Sequence, residues 1–121
     1  MERDLKQRTK AFALRVIKLY SALPRRSDAK ILGNQILKSG TSVGAHYREA
    51  CRAKSNADFI SKVEGALQEL DETAYWLELI GEAEILPITR LQPLHDEAEE
   101  LLAILVTIVT KVKRKNSKRL R

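Results

Sequence analysis

One cysteine, Cys51, is all the thiol this chain carries. It cannot form an internal disulfide, and nothing here points to an oxidising compartment. Glycine and proline are scarce too, at five and three of 121 residues, while Ala, Leu, Glu, Lys and Arg dominate. That balance favours helix over strand throughout. No apolar run is long enough to cross a bilayer: the longest, Leu101 to Val109, is broken by Thr107 and is about half the length required. It belongs in a core or an interface, so no membrane partner is expected. The N-terminal Met1-Glu2-Arg3-Asp4 is charged and leads into no apolar segment, so a cytoplasmic protein without a signal peptide is expected. What is present suffices for folding. The chain is one domain by length, its composition is 44% hydrophobic, and a domain of this size buries about two thirds of its unfolded surface.

Charge is sorted into three blocks. Residues 1–62 hold 14 Lys/Arg against 5 Asp/Glu, residues 63–110 hold 1 against 11, and residues 111–121 hold 7 against none. Like charges crowded into one segment repel one another, so the outer blocks are suited to meet an anion and the middle block a cation.

Periodicity and punctuation predict four helices. The first runs from about Leu5 to Ala22, with Phe12, Val16, Leu19 and Leu23 on one face, and Leu23-Pro24 ends it. The second starts after Ser27 or Asp28, either of which can cap it, and continues to about Lys54. The third opens at Ser55, with Asp58 three residues on as a weaker capping box, and carries Ile60, Val63, Leu67, Leu70, Ala74, Leu77 and Gly81 at alternating spacings of three and four. The fourth begins near Pro87 to Thr89 and repeats that rhythm with Leu91, Leu94, Ala98, Leu101, Leu105, Ile108 and Val112. Two matched heptad seams imply an all-α bundle with shallow crossing angles over residues 1–113, and a basic, disordered tail over 114–121. A second stripe on the fourth helix, Leu102, Val106 and Val109 with Ile104 besides, exceeds what one small core can hide and predicts a subunit interface.

The second helix contains Gly33, Gly40 and Gly44, with Ser39, Ser42 and Ala45 among them. Each interior glycine costs about 1 kcal/mol relative to alanine. Close approach of another backbone along this face would offset the cost; the competing reading is that Ser39-Gly40 breaks the helix in two.

The run Ser42-Val43-Gly44-Ala45-His46-Tyr47-Arg48-Glu49-Ala50, followed by Arg52-Ala53-Lys54-Ser55, Asp58-Phe59-Ile60-Ser61-Lys62 and Asp71-Glu72-Thr73-Ala74-Tyr75-Trp76-Leu77-Glu78-Leu79, resembles the four-helix-bundle proteins encoded in intervening sequences of bacterial 23S ribosomal RNA genes. Leu23-Pro24 and Gln35-Ile36-Leu37-Lys38-Ser39-Gly40-Thr41-Ser42 fit as well, so the likeness spans most of residues 12–113. His46 departs from the pattern, which usually has Asn there, and Gly65-Ala66-Leu67-Gln68-Glu69 replaces a more apolar, lysine-bearing segment. The resemblance implies a left-handed, up-down-up-down antiparallel four-helix bundle assembling into a homopentamer. Its relatives include the accessory protein of diversity-generating retroelements, a basic pentamer that binds nucleic acid and a reverse transcriptase. The resemblance brings no catalytic residue set.

Basic residues are the functional signal. Arg25, Arg26 and Lys30 cluster after the first helix, Lys38, Arg48, Arg52 and Lys54 follow along the second, and Lys111, Lys113, Arg114, Lys115, Lys118, Arg119 and Arg121 end the chain. Phosphates need only accessible cations at suitable spacing, so these residues predict an oligomeric scaffold for RNA or DNA, and the resemblance implies a partner such as a reverse transcriptase or another RNA-handling protein. An assembly module without nucleic-acid binding is the alternative. Tyr47 beside Arg48 could stack on a base, though a packed tyrosine is the expected role. The acids Glu64, Asp71 and Glu78 recur every seven residues and are expected to face the basic first and second helices of the same or a neighbouring subunit. Neither His46 nor His95 has a Glu three residues before it, so a dimetal carboxylate site is not expected, nor is any cofactor. Arg90-x4-His95 has the spacing of an all-helical ribonuclease class, a short motif in an acidic segment around Pro93. Cys51 is expected to be a half-buried structural thiol.

Overall fold

In a computed structural model, helices α1 (Glu2–Ala22), α2 (Ser27–Cys51), α3 (Asn56–Glu82) and α4 (Ile88–Leu120) form a four-helix bundle. The structure describes residues 2–120, with side chains over 4–117. Among the described residues there is no strand, and no helix is long and apolar enough to cross a membrane.

Local chemistry sets most boundaries. α1 stops just before Leu23-Pro24, where proline pushes the preceding residue out of the helical region. At the start of α2 the capping expectation fails: Arg26 is the N-cap, extended and without a side-chain cap bond. Asp28 acts from within the first turn, accepting from the Ala29 N–H at 2.8 Å and pairing with Arg26 at 2.7 Å. An acid there meets the positive end of the helix dipole. α2 also ends three residues before Lys54, because the Arg52 and Ala53 N–H groups turn back to the Glu49 and Ala50 carbonyls. Ser55 then caps α3, its Oγ accepting from the Asp58 N–H at 3.0 Å, as its sequence context predicts. Past α3, Glu84 adopts φ 59°, the left-handed conformation glycine usually supplies, and the Ile85 N–H returns to the Ile80 carbonyl.

α2 runs unbroken through Gly40, so close approach and not a helix break accounts for the glycines. A Cβ on Gly40 would lie 2.6 Å from Val16 Cγ2, and one on Gly44 would lie 3.2 Å from Thr9 Oγ1. Only hydrogen fits at Gly40, and at Gly44 a Cβ would need Thr9 to give by a few tenths of an ångström. The pairs Val16/Gly40 and Thr9/Gly44 show that α1 and α2 run in opposite senses. Ser39 to Thr73 and Glu49 to Lys62 show the same for α2 and α3, as do Glu78 to His95 and Glu64 to Lys113 for α3 and α4.

The core joins Phe12 and Val16 with Ile36, Val43, Tyr47, Val63, Leu70, Leu77, Ile80, Leu101 and Leu105. The inner face of α3 is wider than the heptad seam: Ala66, Thr73 and Ile80 are buried, while Ile60 and Leu67 are only half-buried. Thr73 is tolerated inside because its hydroxyl bonds Ser39 Oγ at 2.8 Å and the Glu69 carbonyl at 2.7 Å, as a buried hydroxyl requires. On α4 Val109 enters the core, whereas Ile108 and Val112 stay half-buried. Of the second stripe Leu102 and Ile104 also pack against the core, leaving Val106 exposed. Residues 114–120, expected as a disordered tail, continue α4.

α1 and α4 are linked by a charge clamp. Arg8 Nε and Nη2 lie 2.8 and 2.9 Å from the two oxygens of Glu97, and Nη2 is 2.7 Å from Glu100. Hydrogen bonding to Arg8 holds the Glu97 carboxyl below the usual carboxylate range. A depressed carboxylate contributes stability above its unfolded pKa of about 4.3 and loses it as pH falls through the folded value. Glu97→Gln is therefore expected to be about 1 kcal/mol less stable than the parent at neutral pH, the pair being partly exposed. The two should converge by about pH 3, and urea unfolding at both pH values measures this.

Candidate nucleic-acid interface

The helix directions decide which cations share a surface. α2 spans 25 residues, about 36 Å, with Arg25, Arg26 and Lys30 at its first end and Arg48, Arg52 and Lys54 at its second. The sequence-predicted residues are therefore not one cluster. At the first end Arg26 is already paired with Asp28. Midway along α2, Lys38 lines a groove with Gln35, His46, Gln68, Glu69 and Glu72, whose acids counter its charge.

The second end gathers more. Asn116 of α4 shares a cavity of about 680 Å³ with Ala50, Lys54, Ser55 and Phe59, so the end of α4 meets the turn between α2 and α3. Arg48, Arg52 and Lys54 stand at or beside that turn, and Lys111, Arg114 and Lys115 on the same end of α4; all six are exposed, and none forms an ion pair with a described residue. Lys113 is the exception, bonded to Glu64 at 3.0 Å. Lys118, Arg119 and Arg121 lie outside the residues whose side chains are described.

Two cations missed in the sequence also lie here. Lys6 and Lys10 line a groove between α1 and α2 together with Arg48. The signal was available as the Lys6-x3-Lys10 spacing beside Thr9 and Ala13, one turn apart on one side of α1, but which side faced Arg48 was not.

Two of the three heptad-spaced acids of α3 point elsewhere than expected. Glu64 binds Lys113 and Glu78 binds His95 at 2.9 Å, so both meet α4 and not α1 or α2. Tyr47 is 1% exposed and belongs to the core, which removes it as a base-stacking platform. Cys51 is half-buried. The two departures from the family pattern touch: His46 lies over Gly65, where a Cβ would sit 3.1 Å from its Nδ1, and its Nε2 is 3.6 Å from Glu69. A residue larger than glycine at 65 would displace that ring. Arg90 and His95 diverge. Five residues along a helix turn the side chains about 140° apart, and His95 lines a groove with Leu77, Glu78 and Gly81 that does not include Arg90.

In comparisons with known proteins, the family described as 23S rRNA-intervening sequence protein matches residues 1–107. A crystal structure of a protein of unknown function from the S23 ribosomal protein family of Bacteroides thetaiotaomicron is 37% identical. The alignment has a TM-score of 0.84 and covers 90% of this chain and 97% of that one. No curated protein shows significant sequence similarity.

Proposed function

The chain belongs to the 23S rRNA-intervening sequence protein family, and on that premise we propose that it is a non-enzymatic, homo-oligomeric scaffold binding nucleic acid through phosphates. The observation that carries this reading is the set of six exposed cations at the turn between α2 and α3 and on the end of α4, none of which forms an ion pair with a described residue. Like charges held near one another repel, a cost that an incoming polyanion reduces, and each phosphate neutralised releases condensed counterions. The partner beside the nucleic acid is an RNA-handling protein such as a reverse transcriptase.

Self-association multiplies these contacts, since copies held together raise the effective concentration of each patch. The resemblance supplies the oligomer, a pentamer of up-down-up-down bundles, and exposed Leu14, Ile17, Ile31, Tyr75, Ile88 and Val106 offer apolar area for it. The rival assembly role, in which acid and basic blocks pair between subunits, is weakened because Glu64, Glu78, Glu97 and Glu100 already have partners within the chain. Divergence of Arg90 and His95 weakens a ribonuclease role.

Binding of a labelled mixed RNA, followed by anisotropy, is expected to weaken about a thousandfold between about 50 and 200 mM salt if six phosphates are engaged. A flat profile, or a monomer by light scattering at the same concentration, would overturn this reading.

A further inference from the structure

We propose that the outer groove between α1 and α2 is a binding site for the phosphodiester backbone of a nucleic acid, contacted by Lys6, Lys10 and Arg48. It rests on the nucleic-acid reading above and adds a place and a set of residues to it.

The groove follows from the glycines. Because Val16 and Thr9 press against Gly40 and Gly44, the two helices come too close for large side chains to fill the outer side of their seam. What remains is a depression of about 340 Å³ floored by Ala13, Thr41, Gly44 and Ala45. Lys6 and Lys10 rise from one wall, about 6 Å apart along the helix axis, and Arg48 rises from the other. No Asp or Glu lines the groove, and none of the three cations forms an ion pair with a described residue. Arg8 supplies the contrast on the same helix. Two residues from either lysine, it lies roughly 200° around the helix, where Glu97 and Glu100 hold it. The acidic block thus neutralises one side of α1 and leaves the other positive.

The ligand's class follows from shape. A single small anion favours a closed cluster, whereas these cations line an open groove in rows: Lys6 and Lys10 four residues apart on α1, and Arg48 across from them on α2. A chain of phosphates can follow such rows. The floor of alanine, glycine and threonine offers too little apolar area to hold an amphipathic helix, which disfavours an acidic protein segment. No aromatic side chain lines the groove, so bases are not stacked and binding is indifferent to sequence.

The test compares the parent with Lys6→Gln/Lys10→Gln and with Arg48→Gln, binding a short RNA duplex and its separated strands across a salt series. For the double variant the slope of log affinity against log salt should fall by about 2 on duplex and somewhat less on single strands. Arg25→Gln/Lys30→Gln, at the far end, should leave it unchanged. If the groove variants keep the parent slope while Lys111→Gln/Arg114→Gln/Lys115→Gln loses it, the groove is refuted and the nucleic-acid function survives. If the parent binds neither RNA form but binds polyglutamate through Lys6 and Lys10, both fall and an acidic protein partner replaces them. Amide NMR of the unaltered protein gives an independent check: duplex should shift Lys6, Lys10, Thr41, Ala45 and Arg48, and shifts confined to other residues would refute the site.

Discussion

Gly40→Val is expected to destabilise the protein by about 3 kcal/mol, although almost any residue forms helix more readily than glycine. The sign is decided by Val16. A Cβ at position 40 would lie 2.6 and 2.8 Å from its two methyl groups, and Val16 is fully buried and β-branched, with one strongly preferred rotamer in a helix. It cannot swing aside, so α1 and α2 must separate along the seam that also packs Thr9 against Gly44. The loss is a large share of a typical stability of about 5–15 kcal/mol, and the midpoint should fall by about 10 °C. Val16→Ala in the same chain should recover part of it by vacating the contested space, so the double variant should melt above Gly40→Val alone. Thermal unfolding followed by circular dichroism measures all three. A Gly40→Val protein melting at or above the parent would show that the helices do not meet as closely as described.

Replacing Arg48, Arg52, Lys54, Lys111, Arg114 and Lys115 together by glutamine is expected to weaken RNA binding about a thousandfold or more near 100 mM salt. Six fewer positive charges take the formal net charge from +6 to zero, but loss of net charge alone does not explain the expected effect. Neutralising Arg25, Arg26, Lys30 and Lys38 removes four charges from elsewhere on the bundle, and should cost far less because those residues are distant from the gathered end or already opposed by acids. Comparing the two variants by anisotropy, with helical content confirmed unchanged, separates a localised interface from a diffuse field. Equal losses would refute the interface. Affinity of the six-residue variant within about threefold of the parent would refute it as well.

Particular elements show how far a linear reading reached. The C-terminal end of α1 and the cap of α3 were legible because Leu23-Pro24 and Ser55-x-x-Asp58 act over three or four residues, whatever lies beyond. The second cap was misread for a related reason: Ser27 and Asp28 are both competent, and only the path of the preceding turn chooses Arg26 instead. The glycines of α2 showed that something must come close, but Val16 and Thr9 are more than twenty residues away in the chain and could not be identified as the neighbours. Val109 was assigned to a surplus stripe because a heptad template follows one seam, whereas a helix in a bundle touches more than one neighbour.

Helicity, the number of helices, their approximate ends and the uneven partition of charge were settled by residue order alone, because propensity, capping and periodicity operate within one or two turns. Folding decided which cations stand together. Reversal of direction at each turn brings the end of α4 beside Lys54 and sends Arg8 to two glutamates, while Lys6 and Lys10 form no ion pair with a described residue. Electrostatic partners are chosen by distance in space, and that distance exists only once the helices have packed.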